Sequence, residues 1–138
     1  MRTIPASELI VNGDGTVFHL HMRPDQLAQK VILVGDPGRV PMVSGRFSEI
    51  ECSGGNREFV WATGRYRNDR MTVLSTGIGS DNIDIVMNEL DALVNVDLET
   101  RRPRSDRNSL TIVRLGTSGA LQADIELGSI VMSSWSLG

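Results

Sequence analysis

The sequence predicts an α/β domain, in which strands that run into glycine-bearing turns alternate with a long amphipathic helix. The apolar run 31–34 leads into the turn 35–39, and two further strands lead into turns at 76–79 and 116–119. Apolar residues at helical spacing lie between the second and the third turn. This alternation is typical of α/β folds, and 138 residues are enough for one domain.

The N-terminal part of the chain contains one well-marked strand. Residues 1–17 are expected to be loosely ordered. The alternating segment 17–22 predicts a short strand, and 23–30 predicts a short helical turn that begins at Pro24. Residues 31–34 are continuously apolar and are bounded by glycine, which predicts a buried strand.

The middle of the chain predicts a hairpin followed by the long helix. Residues 57–76 indicate two strands joined by a turn near residues 68–69. Residues 80–96 predict a helix that is capped by Ser80 or Asp81. Its apolar stripe consists of Ile83, Val86, Met87, Leu90, Leu93 and Val94.

The last part of the chain predicts a polar loop at 97–109 and two strands, at 110–115 and 129–134. One long helix is too little to cover both faces of an α/β sheet. The sequence stops shortly after the last predicted strand. We therefore expect a fold that is incomplete at its C-terminus, in a truncated chain.

Composition argues against several classes of function. A net charge of -3 and an aromatic content of 4% argue against nucleic-acid binding. No apolar run approaches the roughly 20 residues of a membrane span, and the N-terminus shows no apolar signal segment. Cys52 is the only cysteine, so no internal disulfide can form. These features predict a cytoplasmic protein that binds neither nucleic acid nor membrane.

The three glycine-bearing turns predict a site for a small anion. Ligands of open α/β sheets bind at the carboxyl ends of the strands, and glycine lets backbone N–H groups approach an anion. Arg39 belongs to the first turn, and Arg114 lies in the strand before the third. An arginine in an apolar strand is costly unless it is paired, so Arg114 indicates either a ligand contact or a buried structural salt bridge. Thr117 can donate its hydroxyl to the same anion.

Other chemical motifs are missing or incomplete. The chain has no Walker A run. Ser118 does not lie in a nucleophile elbow, which favours a role in the turn or in ligand contact. His19 and His21 lack the further ligands that a metal site needs, so each is expected to be structural or to make a single contact.

A series of short motifs resembles the nucleoside phosphorylase family. In chain order they are FHL, GDPGRV, NREF, STGIG, NELDALVN and VRLGTSGALQADIELGSIV, starting at Phe18. The resemblance implies a mixed central sheet flanked by helices in a three-layer sandwich. It also implies that residues 1–138 form the N-terminal part of a single domain, whose second half supplies the residues that recognise the base.

The resemblance also implies a phosphate site in which Arg39 and Arg114 are the catalytic pair. Arg57 matches an arginine that reaches the phosphate of a neighbouring subunit. The phosphate-binding residues implied in this way are Gly35, Arg39, Arg57, Arg114 and Thr117.

The nucleoside site implied by the resemblance is shared between subunits, in a homo-oligomer that is a dimer or a hexamer of dimers. His19 matches a histidine that contacts the ribose 5′-hydroxyl of a neighbouring subunit. The nucleoside-binding residues are His19, Thr117, Ser118 and Gly119. Glu58, Ile78 and Asn82 fall where some bacterial members hold a monovalent cation such as potassium, although Asn82 replaces the usual serine. Inorganic phosphate is a co-substrate, and no other cofactor is implied.

The reaction implied is the phosphorolysis of a nucleoside to a free base and ribose 1-phosphate, and the overall similarity favours the branch that cleaves uridine. A purine nucleoside phosphorylase or a nucleosidase of the same family is the first alternative. Arg39 and Arg114 favour phosphate over water as the nucleophile. The second alternative is a catalytically inactive half-domain that binds phosphate or serves in oligomer assembly.

Overall fold

A mixed five-stranded sheet forms the centre of the computed structural model, which describes residues 3–137. The strands are β1 (Lys30–Val34), β2 (Glu49–Asn56), β3 (Phe59–Tyr66), β4 (Asp69–Ser75), β5 (Val96–Asp97), β6 (Arg102–Pro103) and β7 (Thr111–Leu115), and the helices are α1 (Val40–Ser44) and α2 (Ser80–Asn95). The order across the main sheet is β2–β3–β4–β1–β7. Strands β5 and β6 form a separate two-stranded ribbon.

The carboxyl ends of β4, β1 and β7 lie side by side. Strand β1 is parallel to both neighbours, and its last residue, Val34, pairs with Ser75 of β4 and with Leu115 of β7. Because the three strands end in register, the turns that follow them begin at one edge of the sheet. Strands β2 and β3 extend the sheet on the other side of β4 in antiparallel pairing.

Different elements cover the two faces of the sheet. Successive side chains of a strand point to opposite faces. Leu33 and Leu74 pack with α2 and with the segment 17–27 on one face, whereas Val34 and Val73 pack with α1 on the other. The predicted α/β class, with a mixed sheet flanked by helices, is therefore confirmed.

The long helix and the hairpin are confirmed, with differences at their ends. Helix α2 begins at Ser80, but its N-cap is Gly79, and no side chain of the described residues caps it. The expected caps, Ser80 and Asp81, are both inside the helix. Strands β3 and β4 form the hairpin, and its turn includes Arg67, which has a φ of 56°. The predicted helical turn near Pro24 is a short 3-10 turn.

The predicted strand at 17–22 is wrong. Val17 forms only an isolated bridge with Val11. The backbone N–H groups of His19 and Leu20 donate hydrogen bonds to the side chain of Glu89. These N–H groups are therefore used within a turn and cannot join a sheet. The alternating pattern instead comes from apolar side chains that this turn directs into the core.

The predicted strand at 129–134 is also wrong, and β2 was not predicted. Residues 129–134 are exposed and pair with no other strand within residues 3–137. Strand β2 contains the sequence Ser53-Gly54-Gly55-Asn56, which has low strand propensity. It is nevertheless held by its pairing with β3. Across residues 3–137, the structure contains no helix with the length and apolar character needed to cross a bilayer.

Candidate functional site

The turns that follow β1, β4 and β7 line one open cavity, which we call the sheet-edge cavity. Its volume is about 960 Å³. The structure thus brings together residues that are up to 82 positions apart, from Gly35 to Thr117. The sequence-predicted site residues that line it are Gly35, Arg39, Glu58, Ile78, Asn82, Arg114 and Thr117.

The guanidinium group of Arg114 lies against two glycine backbones. A Cβ atom on Gly35 would lie 3.6 Å from Nη2 of Arg114, and one on Gly116 would lie 2.8 Å from Nη1. The first distance is an ordinary contact, whereas the second is too short, so a side chain at position 116 would displace the end of the Arg114 side chain. Gly116 therefore leaves room for the guanidinium group beside the backbone at the end of β7, and Gly35 lies in contact with the same group at the end of β1.

Arg114 is not part of a buried structural salt bridge. Strand β7 lies at the edge of the sheet, and Arg114 is exposed together with Val113 and Leu115. Within residues 3–137 no carboxylate forms an ion pair with Arg114. The desolvation cost that would require a protein partner is therefore small, and the guanidinium group stays available to a ligand.

Arg39 reaches the third turn from the first. The Asp36 side chain accepts a hydrogen bond of 2.8 Å from the backbone N–H of Gly38, which holds the 3-10 turn Pro37–Arg39. From this turn Nη2 of Arg39 donates to Oγ1 of Thr117 over 3.5 Å. Arg39 is half-buried and, like Arg114, has no ion pair within the described residues. Two guanidinium groups without carboxylate partners therefore face the cavity, which favours an anionic ligand.

The second turn is built closely around its glycines. Thr76 continues from β4 and donates its backbone N–H to the carbonyl of Val34 over 2.8 Å, which ties this turn to the end of β1. Gly77 has a φ of 69°, and a Cβ atom there would lie 2.8 Å from Cγ of Glu58 and 2.8 Å from Nδ2 of Asn82. Only glycine fits this conformation and this space without strain.

The three residues predicted for a monovalent cation meet one another. Nδ2 of Asn82 donates to Oε1 of Glu58 over 3.0 Å and to the carbonyl of Ile78 over 3.3 Å. The pKa of Glu58 is lowered, first by the hydrogen bond from its own backbone amide and then by that from Asn82.

The geometry of these three residues does not fit a bound cation. The Asn82 amide already donates to one oxygen of Glu58 and to the carbonyl of Ile78, two of the atoms that would have to be ligands, and an N–H group repels a positive ion. In residues 3–137 there is also no cluster of three or more His, Cys, Asp or Glu side chains that could hold a metal.

Arg57 lies in the tight turn between β2 and β3, outside the sheet-edge cavity. It has a φ of 54°, and its side chain is exposed. Its neighbour Glu58 lines the cavity. The structure therefore does not bring Arg57 together with Arg39 and Arg114 within one copy of the chain.

Ser118 and Gly119 also lie outside the sheet-edge cavity. They line a separate cavity of about 470 Å³ together with residues between 120 and 131, and all of these residues are exposed. Of the predicted ribose and base turn, only Thr117 lines the cavity.

His19 lies in a second cavity of about 560 Å³, formed by α2 and the N-terminal segment. Its Nδ1 lies 2.7 Å from Oε1 of Glu89, a buried residue of α2. Sequence reasoning missed Glu89. The available signal was its spacing, three residues after Val86 and four before Leu93, which places a carboxylate on the buried side of the helix.

Comparison with known proteins identifies similar chains. The family model described as the phosphorylase superfamily matches residues 29–138. The chain is 32% identical over 120 residues to the uridine phosphorylase of Thermococcus kodakarensis, and 31% identical over 117 residues to a purine nucleoside phosphorylase of the DeoD type from Alkaliphilus metalliredigens. Among solved structures, a Trypanosoma brucei nucleoside phosphorylase that shows uridine phosphorylase activity is 40% identical, with a TM-score of 0.78.

The chain spans less than half the length of each of these relatives. The matched region covers 87% of this chain but 38% of the Thermococcus protein, and 84% of this chain but 45% of the Alkaliphilus protein. For the Trypanosoma structure the shares are 86% and 41%. The similarity that the sequence motifs indicated therefore extends over most of this chain.

Proposed function

The chain belongs to the phosphorylase superfamily, and from this premise we propose that it carries the phosphate site of a uridine phosphorylase. Such an enzyme is a pentosyltransferase that converts uridine and inorganic phosphate to uracil and ribose 1-phosphate. The observation that carries the proposal is the pair of guanidinium groups, Arg39 and Arg114, which face one cavity without carboxylate partners.

The proposed phosphate ligands come from the turn after β1 and from β7 with the turn that follows it. Arg39 and Arg114 supply charge, Thr117 supplies a hydroxyl donor, and Gly35 supplies a backbone N–H. At about 4 Å and an effective dielectric of about 20, each guanidinium attracts a unit negative charge by roughly 4 kcal/mol before desolvation. This attraction orients the nucleophile and offsets the negative charge of the phosphate.

The proposed reaction is a displacement at the sugar. A phosphate oxygen attacks C1′ of the ribose and forms the new C–O bond. The C1′–N1 bond breaks, its electron pair leaves with the uracil ring, and the ring then takes up a proton. The sugar centre becomes cation-like as the bond breaks, as in other glycosidic cleavages, and phosphate held by Arg39 and Arg114 is placed next to that charge.

Arg57 and His19 are proposed to act in the site of a second copy of the chain. Arg57 and His19 lie outside the sheet-edge cavity, which suits residues that act in a neighbour's site. We include a homo-oligomer and a cytoplasmic location in the proposal. Ser118 and Gly119 remain proposed nucleoside contacts, and no cofactor is included besides phosphate as co-substrate.

The second candidate is a purine nucleoside phosphorylase. It is favoured by two purine nucleoside phosphorylases of the DeoD type that are 31% and 33% identical to this chain, close to the 32% of the uridine phosphorylases. A nucleosidase is a weaker candidate because it has no phosphate to bind and therefore no use for the two arginines.

The test begins with the 138-residue chain, shown to be folded by circular dichroism. Phosphate binding is measured by titration calorimetry, and base release from uridine and from inosine is followed with and without phosphate. The proposal predicts phosphate binding and phosphate-dependent release of uracil. Release of hypoxanthine alone would favour the purine reading, and release without phosphate would favour a nucleosidase. Phosphate binding without any release would favour an inactive half-domain, and a folded chain that binds no phosphate would contradict the proposal.

A further inference from the structure

We propose that Glu89 is a positioning residue that fixes the His19 ring with its hydrogen on Nδ1, so that Nε2 is presented as an acceptor to a hydroxyl group. The identification of that hydroxyl as the ribose 5′-hydroxyl of a bound nucleoside rests on the proposed function. The fixed state of the ring rests on the geometry of this chain alone.

Glu89 is a buried carboxylate that pairs with no Lys or Arg in the described part of the chain, and its one ion-pairing neighbour there is His19 itself. Glu89 is 7% exposed. Its oxygens accept hydrogen bonds from the backbone N–H of His19 at 2.9 and 3.1 Å and from the backbone N–H of Leu20 at 2.9 Å. A buried carboxylate is costly unless its oxygens are hydrogen-bonded, and here the bonds all come from one turn. Glu89 therefore holds the turn that carries His19 against helix α2.

The same carboxylate determines which ring nitrogen carries the hydrogen. Oε1 of Glu89 lies 2.7 Å from Nδ1 of His19. An ionised carboxylate has no hydrogen to donate, so Nδ1 must be the donor. In the neutral ring Nε2 then has a lone pair and accepts hydrogen bonds. Within residues 3–137 no partner of Nε2 is present.

The ring is held on its other sides as well. The Phe18 and His19 rings pack edge to face with their centroids 4.9 Å apart, and the Phe59 ring packs in the same way against His19 at a centroid distance of 6.2 Å. The indole N–H of Trp61 donates to the carbonyl of Leu20 over 2.9 Å. The side chain of His19 is nevertheless 33% exposed and lines a cavity, so a ligand can reach the ring although its orientation is fixed.

His19 is also tied to the turn that carries Arg57. Nδ2 of Asn56 donates to the carbonyl of His19 over 3.3 Å, and Arg57 is the next residue in the chain. The two residues proposed to act in a neighbour's site thus belong to one connected unit. Glu89 anchors this unit to α2 and so positions both of them.

The experiment is a two-bond 1H–15N spectrum of the imidazole rings in the uniformly 15N-labelled chain at neutral pH. The chain has only two histidines, so His21→Gln assigns the signals. We expect His19 to be in the Nδ1–H tautomer in the wild type and in Glu99→Gln, which removes a carboxylate from an exposed turn outside the His19 cavity. In Glu89→Gln we expect a mixture of tautomers, since an amide N–H then faces a backbone N–H or Nδ1.

A wild-type His19 with its hydrogen on Nε2, or a tautomer unchanged in folded Glu89→Gln, would overturn the proposal. If Glu89→Gln does not fold, the tautomer of His19 in the wild type alone decides: a hydrogen on Nδ1 supports the proposal, and a hydrogen on Nε2 overturns it.

A kinetic comparison separates this proposal from the proposed function. With uridine, Glu89→Gln should raise KM about fivefold to tenfold, with little change in kcat. With 5′-deoxyuridine, which lacks the hydroxyl, the variant should match the wild type, and Glu99→Gln should match it with both substrates. Equal losses on both substrates would refute positioning while leaving the function standing. If neither substrate reacts but the tautomer is as stated, the function fails and the positioning of His19 stands.

Discussion

Arg39 and Arg114 come from distant parts of the chain and present two positive charges to the sheet-edge cavity. Some other cations are paired, such as Arg70 with Glu51 at 2.6 Å and Lys30 with Asp69 at 2.7 Å, whereas the arginines of the exposed loop at 101–107 form no ion pair within residues 3–137. Arg39 and Arg114 differ from those loop arginines because both line one cavity without forming an ion pair there. The remaining N–H groups of these two arginines are therefore available to a ligand.

Replacing Arg114 by glutamine should therefore weaken phosphate binding. A hydrogen bond to a charged group contributes about 1.5–3 kcal/mol, so we expect the Kd for phosphate to rise about tenfold to a hundredfold. Titration calorimetry measures the change. The matched control is Arg107→Gln, which removes an arginine from the exposed polar loop and should leave the Kd unchanged. Equal losses in both variants would mean that only net charge matters.

Gly77 should be intolerant of alanine for two reasons. Its φ of 69° is unfavourable for residues with a Cβ, and the added atom would lie 2.8 Å from Glu58 and from Asn82. We expect Gly77→Ala to lower the free energy of unfolding by about 1–3 kcal/mol. Gly119→Ala is the control, because a Cβ there meets nothing within 4 Å. Urea unfolding compares them, and similar stabilities of the two variants would contradict the structure of this turn.

Asn82 should make the chain insensitive to potassium. Its amide already satisfies Glu58 and the carbonyl of Ile78, so the Tm of the wild type should be the same in potassium chloride and in choline chloride at equal ionic strength. Asn82→Ser removes the amide and leaves two oxygens available. We expect its Tm to rise by roughly 3 °C in potassium chloride. A wild type that is stabilised by potassium, measured by circular dichroism, would show that a cation displaces the amide.

At the scale of elements, β2, β3 and β4 are joined by one carboxylate as well as by their backbones. Glu51 of β2 accepts from Nε of Arg70 in β4 over 2.6 Å and pairs with Arg65 of β3 at 3.1 Å. Arg70 also donates to the carbonyl of Leu27 over 2.8 Å. The edge strand is thereby fastened to the segment that precedes β1.

This arrangement predicts a pH dependence of stability. The hydrogen bond from Arg70, and then the charges of Arg70 and Arg65, hold the pKa of Glu51 below its usual 4.5. A group whose pKa is lower in the folded state stabilises above its unfolded pKa, and loses that contribution as the pH falls through the folded value. The wild type should therefore exceed Glu51→Gln in stability at pH 7, and the difference should shrink below about pH 4.5.

Urea unfolding at several pH values measures this difference. Glu49→Gln is the control, because Glu49 lies on the same strand and has no ion pair in residues 3–137. A Glu51→Gln penalty that stays constant from pH 7 to about pH 3 would mean that packing rather than charge fastens the strand.

The elements that were predictable are those whose local pattern and tertiary role agree. Helix α2 shows apolar residues at helical spacing, and β1 is a continuous apolar run, so both were identified. Strand β2 owes its existence to pairing with β3 across two glycines, which a local pattern does not reveal. The reverse holds at 17–22, where alternation indicated a strand but the carboxylate of Glu89, 69 positions from Leu20, takes the backbone N–H groups.

The candidate site follows the same logic. Gly35, Arg39, Arg114 and Thr117 could be predicted because glycine turns after parallel strands must meet at one edge of the sheet. Nothing local, in contrast, distinguishes Glu89 from the exposed carboxylates of its helix, except its position on the apolar side. Its partner lies 70 positions away, so only the folded chain reveals the role of this residue.

At the scale of the whole molecule, the structure divides the proposed site residues into two groups. Arg39, Arg114 and Thr117 face the sheet-edge cavity, whereas Arg57 and His19 belong to the unit formed by the β2–β3 turn and the turn before β1. In a two-fold symmetric dimer, each site would take the first group from one subunit and the second group from its partner. Each subunit would then contribute to both sites.

This division predicts complementation between two defective variants. Arg114→Gln and Arg57→Gln homodimers should both bind phosphate weakly, because each lacks one arginine in every site. When the two chains are mixed, unfolded and refolded together, half of the dimers should contain both. Such a heterodimer has one site with both arginines and one with neither, so about a quarter of all sites should regain the wild-type Kd. Calorimetry measures that fraction, and the variants refolded separately and then mixed on ice are the control. A mixture with no restored sites would place Arg57 outside its partner's site, whereas a restored quarter would require that phosphate is bound between two copies of this chain.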